Sequence, residues 1–476
     1  MNEGLPKPAK PSLRFDQGTL IVNGVDRARV GHLLSDSDWK WDDRISSVRV
    51  SALYYCKVKA AMLEQFPEHD DDVPAWGPVA WPHARLHQLR GDQLKAVESW
   101  SGSKQGLIVM PTGTGKTEVA LTIMQTLAVS TLIVAPVRDL MYQWHQRILV
   151  ALGVDSGVIG DNRYYLKPIS VTTYDSAAIH MKDLGNKFCL IIFDEAHHLP
   201  GDFRREAAFM SAAPFRLGLT ATPERSDGRD TDLVRLIGPT VFKSSIAEAK
   251  GDTLADYEIE KFKVRLSNDE QARYDQLSER VRLFMAQKNR DKNWGYTWQN
   301  LLAETGSDPE TRQVQQAFYA KRAIEDRAAE KLRILEDIFR LHVGSRVLVF
   351  AGSNAMARDV SSRFLIPCLL NHCGKKERHD VLGGFKDGTY PAIVANEILD
   401  EGIDVPEVKV GVVVGGHAST RQAVQRLGRL LRKNGGQSAH LYEVVVEGTK
   451  DEHRSRTRRN TDAYIGTRHS RRERLS

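Results

Sequence analysis

Three stretches of this sequence carry residue types that could handle a nucleotide. Met110-Pro-Thr-Gly-Thr-Gly-Lys-Thr117 follows an apolar run, Gly106–Met110, and opens a helical stretch, Glu118–Leu127. Glycines allow a tight turn whose backbone N–H groups face phosphate oxygens, and a helix N-terminus adds positive dipole. Lys116 can then reach the β- and γ-phosphates while the Thr117 hydroxyl ligates Mg²⁺, with Pro111, Thr112, Gly113, Thr114 and Gly115 as the cradle. Met110 stands where the strict pattern has glycine, and the plain alternative is a Gly-rich turn with an incidental lysine. Phe188-Cys-Leu-Ile-Ile-Phe-Asp-Glu-Ala-His-His198 is an apolar run ending in two carboxylates. Asp194 suits the metal-holding acid of such a site, and Glu195 is placed to orient and polarise an attacking water. By itself the pair would be only a polar strand end. Gln425-Arg-Leu-Gly-Arg-Leu-Leu-Arg432 puts three arginines on one helical face. Gln425 and Arg426 are candidate nucleotide contacts. Arg429 and Arg432 are candidates to stabilise charge on a transferring phosphate; a solvated arginine stripe is the alternative.

These residues need strand ends and helix starts to hold them. From 85 to 250, short apolar runs alternate with helical stretches: Gly106–Met110, Thr131–Pro136, Ile169–Thr173, Cys189–Phe193 and Phe215–Thr220. That pattern predicts a parallel sheet covered on both faces. Thr220-Ala-Thr222 falls at one strand end, where its hydroxyls could connect the nucleotide site to another part of the chain. A second series runs from about 330 to 450, within a domain read as 251–450: Arg346–Phe350, Phe364–Leu370, Ala392–Ala395, Val410–Val414 and Ala439–Val446. The fold class is therefore α/β, two tandem P-loop-type domains with parallel sheets. Residues 268–326 are helical and charged, read as two long helices joined near Gly306-Ser-Asp-Pro309. Asp252–Leu266 before them reads as an edge strand, so the helices are an insertion in the second domain. Residues 1–84 read as a small α+β domain with strands at Arg14–Gly24 and Ser46–Val58. An acidic, proline-spaced linker begins at Glu68. Residues 451–476 form a basic tail with eight arginines and four acids, either a nucleic-acid contact or solvated chain.

Composition narrows the class. Of 476 residues, 67 are Lys or Arg and 61 Asp or Glu, a net charge of +6 that permits a polyanion partner without requiring one. No run of about 18 apolar residues is present, so no membrane span is expected. Met1–Ser12 has three prolines and no apolar core of a secretory signal, and four cysteines are too few for a disulfide scaffold; a reducing cytoplasm is the expected setting. Cys368 and Cys373 flank His372 without a second ligand pair, which favours structural thiols over zinc. Trp294, Tyr296 and Trp298 interleave with Lys288, Arg290 and Lys292. Such a cluster can stack bases and hold phosphates, or pack two helices together.

Pro111–Thr117, Asp194–His197, Thr220–Thr222 and Gln425–Arg432 resemble motifs I, II, III and VI of superfamily 2 helicases and translocases, with a DEAH box at Asp194. Leu89-Arg-Gly-Asp-Gln93 resembles the Q-type motif, which implies an adenine contact for Gln93. Ala135-Pro-Val-Arg138 and Thr172-Thr-Tyr174 resemble strand-contacting motifs, which brings in Pro136, Arg138, Thr172 and Thr173. Asn396–Asp404 resembles motif V, implying nucleotide contacts from Gly402 and Asp404. The series runs in order over residues 89–432. Ala213–Thr222, Leu399–Pro406 and the domain layout are most similar to the XPB helicase family in its compact archaeal and bacterial form. That resemblance implies RecA-like domains with a helical thumb, an N-terminal damage-recognition-like domain, and Mg²⁺ and ATP as cofactors. It also implies 3′–5′ movement on DNA with duplex opening in repair, often beside a structure-specific nuclease. The family has Arg-Glu-Asp after motif III, and here Arg225, Ser226 and Asp227 stand there, one acid fewer.

The expected function is an ATP-dependent 3′–5′ DNA helicase acting as a monomer, with contacts mostly to phosphate. One alternative is a duplex-DNA translocase serving a defence or restriction complex. Another is a nucleic-acid-binding scaffold without catalysis, against which Lys116, Glu195, Arg429 and Arg432 all speak.

Overall fold

The computed structural model describes residues 10–27, 39–81, 83–224, 227–245, 257–291, 295–370, 372–396, 408–415 and 439–459. Expectations at Arg225, Ser226, Trp294, Gly402, Asp404, Gln425, Arg426, Arg429 and Arg432 lie outside the described residues. The chain divides into two units, 1–245 and 246–476.

The first unit opens with a five-stranded sheet. β1 (Ser12–Asp16) and β2 (Thr19–Asn23) pair antiparallel, not as the single strand expected from Arg14 to Gly24. Gln17 and Gly18 both take positive φ, 46° and 84°, the requirement of a two-residue hairpin turn. β3 (Trp39–Asp42) and β4 (Ser47–Ser51) extend the sheet. The strand expected to run to Val58 stops at Ser51, and α1 (Tyr55–Gln65) comes next with Tyr55, Val58 and Met62 buried. Spacings of three and four mark a helix face, which β-branched and aromatic residue types had disguised. The expected acidic linker is partly sheet: β5 (Asp70–Asp71) pairs parallel with β1. Asp71 accepts a 2.7 Å hydrogen bond from the Tyr55 hydroxyl. Residues between 186 and 212 hold this sheet in place. Ser51 Oγ donates to the Phe209 carbonyl at 2.6 Å, Asn186 Nδ2 donates to the Val73 carbonyl at 3.0 Å, and Ala212 joins the apolar cluster of Leu13, Val48 and Val58.

The second sheet carries the candidate site. Its elements are α2 (Gly91–Ser103), β6 (Gln105–Val109), α3 (Lys116–Leu127), β7 (Thr131–Ala135), α4 (Arg138–Leu152), β8 (Gly157–Gly160), β9 (Arg163–Tyr165), β10 (Ile169–Thr173), α5 (Tyr174–Leu184), β11 (Leu190–Asp194), α6 (Glu206–Phe209), β12 (Phe215–Thr220), α7 (Asp232–Leu236) and β13 (Thr240–Lys243). Strand order is β13-β6-β12-β11-β7-β10-β8-β9, every pair parallel except β8 with β9. The five strands read from the sequence are the central ones. The three others are short peripheral strands whose patterns are too brief to read as periods. Apolar residues fill both faces, one cluster around Ile108, Val119 and Ile192 and another around Val134, Tyr174 and Phe193. Arg216 on β12 is 3% exposed and gives its guanidinium to the carbonyls of Ala208, Ser211 and Leu236. Burial pushes its pKa down to about 10.

In the second unit, β14 (Tyr257–Val264) pairs parallel along its whole length with a strand from near the end of the chain. Then come α8 (Asn268–Asp291), α9 (Trp298–Glu304), α10 (Pro309–Asp326), α11 (Ala329–Leu341), β15 (Val347–Phe350), α12 (Asn354–Phe364), β16 (Cys368–Leu369), α13 (Lys375–Asp387), β17 (Ala392–Ala395), β18 (Val410–Val413), β19 (Ala439–Val446) and α14 (Lys450–Arg459). The sheet, β14-β19-β18-β15-β17-β16, is parallel throughout. The strand expected over Phe364–Leu370 shrinks to two residues, because α12 runs to Phe364 and Leu365 closes it at φ 53°. The two-helix reading of 268–326 misses α9, which Thr297 and Asn300 cap reciprocally. The expected tail begins as α14, with Asp451 1% exposed.

Candidate active site

The phosphate-type loop is fixed at both ends. Met110 N–H donates to the Thr220 carbonyl at 3.0 Å, tying the loop's start to β12. Thr114 Oγ1 donates to the Pro111 carbonyl at 2.7 Å and closes the turn. Gly113 and Gly115 take φ 85° and 84°, where a side chain is strained. A Cβ on Gly115 would also come within 2.4 Å of Gln93 Nε2. Gln93 is 3% exposed; its Nε2 donates to the Thr114 carbonyl at 2.9 Å and its Oε1 accepts from Arg90 N–H at 3.0 Å. The Arg90 guanidinium donates to that same Thr114 carbonyl. Gln93, expected on adenine, braces the loop from α2, and Arg90 of the same Q-type segment is a second brace to which the sequence reading gave no role.

Lys116 begins α3, 9% exposed, and its Nζ donates to the carbonyls of Met110 at 3.1 Å and Pro111 at 3.4 Å. Thr117 comes next in the helix's first turn. Thr112 Oγ1 is buried with no hydrogen-bond partner among the described residues. A loop with paired positive-φ glycines, a buried ammonium and an unsatisfied hydroxyl fits a nucleotide phosphate.

Asp194 ends β11. Burial pushes its pKa up, against the Trp144 N–H and the nearby Lys116 charge, which both favour the anion. Trp144 Nε1 donates to Asp194 Oδ2 at 2.8 Å and Glu195 N–H to Oδ1 at 3.0 Å. A half-buried carboxylate near a cationic group is a good donor for Mg²⁺, whose charge would offset its desolvation. The Tyr174 hydroxyl donates to the Asp194 carbonyl at 2.9 Å. Trp144 is a site residue that the motifs do not include. It shares the buried face of α4 with Met141, Ile148 and Leu152, and an indole N–H on an apolar face needs an acceptor.

Glu195 stands in the left-handed region at φ 47°, a conformation uncommon for a side-chain-bearing residue and found at functional turns. Its Oε2 lies 3.5 Å from His197 Nδ1, and that same nitrogen lies 3.1 Å from Thr220 Oγ1. Thr220 thus touches His197, which in turn lies beside the Glu195 carboxylate.

The strand-contacting candidates diverge. Pro136 is buried after β7. Arg138 is exposed at the start of α4, with Nη1 2.6 Å from Asp161 Oδ1. Thr172 faces inward: fully buried, its hydroxyl donates to the Ile159 carbonyl at 2.7 Å, because β10 is an interior strand. Thr173 caps α5 through Ser176 N–H. Asp227 is exposed and accepts from Arg229 N–H at 3.2 Å.

In the second unit, Tyr296 is 5% exposed in a cluster with Phe284, Leu301 and Val314, against which Trp298 packs. Lys288 Nζ lies over the Phe284 and Tyr296 rings at 5.3 and 5.9 Å, with Glu304 and Asp308 oxygens at 3.7 and 3.9 Å. Tyr296 is thus interior to the helical segment, while Lys288 and Trp298 pack half-buried at its edge. Arg290 is exposed. Cys368 and Cys373 pack against the apolar core, and Cys373 Sγ accepts from Leu370 N–H at 3.3 Å.

The geometry defines a P-loop nucleoside-triphosphatase domain succeeded by a second parallel α/β domain, the build of a helicase of superfamily 2. Residues 86–225 match the family described as type III restriction enzyme, res subunit. Residues 330–434 match the helicase conserved C-terminal domain, and residues 13–73 match the xeroderma pigmentosum group B helicase damage recognition domain. The chain is 39% identical over 432 residues to the DNA 3′-5′ translocase XPB2 of Sulfurisphaera tokodaii, covering 90% of this chain and 98% of that one. It is 26% identical over 461 residues to a putative DNA 3′-5′ helicase Rad25 of Halobacterium salinarum, covering 93% and 69%. The helicase domain of Pyrococcus furiosus Hef shares the fold, with a TM-score of 0.51 at 17% identity over 76% of this chain and 97% of that one. The chain belongs to the XPB family of helicases, and it is an ATP-hydrolysing enzyme of superfamily 2. Among the described residues no helix is long and apolar enough to cross a membrane.

Proposed function

We propose that the chain is a 3′–5′ DNA motor that uses Mg²⁺-ATP for movement along DNA and for duplex opening, in repair. The observation that supports this reading is the phosphate-type loop facing Asp194 and Glu195 at the end of β11, in a chain similar over nearly its whole length to a DNA 3′-5′ translocase. Bound Mg²⁺-ATP supplies the scissile phosphate bond and the cation that neutralises its charge. Lys116 would hold the β- and γ-phosphates, and Thr117 and Asp194 would hold the cation. Glu195 orients the attacking water and takes its proton. Gln93 and Arg90 keep the loop in register. Arg429 and Arg432 are proposed from sequence to stabilise the transferring phosphate, and Gln425, Arg426, Gly402 and Asp404 to contact the nucleotide. Pro136, Arg138 and Thr173 frame a phosphate-contacting edge, and Arg290 is the exposed basic candidate of the helical segment. We place the working limits at 1–84 for the damage-recognition-like domain, 85–250 and 251–450 for the motor domains, 268–326 for the thumb-like helices and 451–476 for the tail. The chain acts as a monomer, and a structure-specific nuclease is its partner. ATPase and strand displacement on 3′-tailed, 5′-tailed and blunt duplexes test this: displacement confined to the 3′-tailed substrate is expected. DNA-stimulated ATPase with no displacement on any of them would make it a duplex translocase instead.

A further inference from the structure

Where the helical segment rejoins the second parallel sheet, six elements meet around buried charge. Asp326, the last residue of α10, is 8% exposed, and its carboxylate accepts a hydrogen bond from the Ser353 hydroxyl. Ser353 is the N-cap of α12, and its oxygen also accepts Met356 N–H at 3.1 Å. Gly415, just past β18, lies so close that a Cβ there would sit 2.2 Å from Asp326 Oδ1. Lys331, in the first turn of α11, is fully buried; its Nζ donates to the Val414 carbonyl at 2.9 Å and to Asp451 at 2.7 Å. Asp451 also accepts Val446 N–H at 3.2 Å. Beside them Glu325, 1% exposed, accepts from the Tyr274 hydroxyl at 2.8 Å and from Arg454 at 2.7 Å. The network thus spans α8, α10, α11, α12, the end of β18 and α14.

Buried ion pairs of this kind add little net stability over apolar packing of the same volume. What they add is direction: each bond has one geometry, and a slipped arrangement strands a charge. β15 ends at Phe350 and β18 at Val413, so Ser353 and Gly415 sit at the C-terminal edge of the parallel sheet, where such sheets engage ligands.

We propose that Asp326 is a positioning residue that locks the helical segment to this edge of the second motor domain, so that both move as one body and each hydrolysis cycle is delivered to the DNA. The proposal rests on the DNA-motor reading above. Burial pushes the Asp326 pKa up, while the Ser353 hydroxyl and Lys331 oppose the rise. An amide of the same shape would carry no charge into that buried position.

The test uses the full chain with Asp326→Asn, Ser353→Ala and, as an exposed control, Arg327→Ala, which loses only the surface pair with Asp359. Base pairs opened per ATP hydrolysed are measured on one 3′-tailed duplex, with DNA-stimulated ATPase and thermal melting alongside. Asp326→Asn and Ser353→Ala are expected to keep ATPase and lower the yield per ATP about fivefold, in the range of network couplings. Arg327→Ala should stay within about twofold of wild type. An unchanged yield in the two network variants overturns the proposal, as does a loss of ATPase and melting temperature in the same proportion as unwinding. Ser353→Ala, which removes one hydroxyl, keeps the test decisive if Asp326→Asn folds poorly. A wild-type chain without DNA-stimulated ATPase refutes the motor reading itself, a failure visible before any variant is made.

Discussion

The buried His197 Nδ1 lies 3.1 Å from the buried Thr220 Oγ1. The Thr220 hydroxyl donates to the Thr222 carbonyl at 3.0 Å and accepts Thr222 N–H at 3.2 Å. The Thr220 hydroxyl either accepts from a protonated His197 Nδ1 or donates to a bare one, according to the imidazole tautomer. The same Nδ1 lies 3.5 Å from Glu195 Oε2. The end of β12 is thus in direct polar contact with motif II. Thr220→Val keeps the shape and removes the hydroxyl. It should cost about 1–3 kcal/mol of stability, leave ATP affinity near wild type and reduce the stimulation of ATPase by DNA. Denaturant melts and ATPase assays with and without DNA read all three; full stimulation in the valine variant would rule out a role for this contact.

Lys116 and Glu195 separate binding from turnover. Lys116→Ala removes the buried ammonium that meets the phosphates, so nucleotide affinity and hydrolysis should both fall. Glu195→Gln keeps shape and hydrogen bonding but not basicity, so ATP binding should persist while turnover drops about 100-fold or more. Nucleotide titration by calorimetry beside steady-state ATPase checks this, and near-normal turnover in Glu195→Gln would remove the water-orienting role.

Two neighbouring cations of the helical segment should behave differently. Lys288 is engaged by two aromatic rings and two acids, and Lys288→Ala should leave DNA affinity within about twofold. Arg290 is exposed, and no ion pair to it is found among the described residues. Arg290→Ala should weaken DNA binding and lower the salt slope by about 1. Anisotropy titrations at several matched salt concentrations distinguish the two; equal effects would refute the contrast.

Acid stability of the second unit should depend on Glu452. Burial alone would raise its pKa, but Lys263, the Gly448 N–H and Arg456 outweigh it and hold the carboxyl at about 2, below its ordinary 4.5. A carboxylate with a depressed folded pKa contributes stability that is fully present above the unfolded value and is lost as pH falls from about 4.5 through about 2. Glu452→Gln should be less stable at neutral pH and show a shallower loss over that acid range. Parallel pH titrations of unfolding would expose an unchanged slope.

Local chemistry made the phosphate loop and the two motor sheets readable from sequence alone. Gly113 and Gly115 need no partner to make a positive-φ turn available, and runs such as Leu190–Phe193 declare a buried parallel strand by residue type. The acids of the DEAH box come at a strand end because a parallel sheet exposes its ligand edge there. What sequence could not give were contacts between residues far apart in the chain. Trp144 binds Asp194 across fifty positions, and Arg90 reaches Thr114 only because α2 packs against the loop. Thr172 looked available for a strand contact until β10 proved to be interior. Lys288, Tyr296 and Trp298 looked like a base-stacking cluster until α9 supplied Glu304 and Leu301 to complete a core. Asp451, read as the start of a basic tail that was either a nucleic-acid contact or solvated chain, is buried against Lys331. In each case the residue type fitted both readings. Burial and the geometry of a distant partner decided between them, because desolvating a polar group is tolerable only where the fold brings its hydrogen-bond partner.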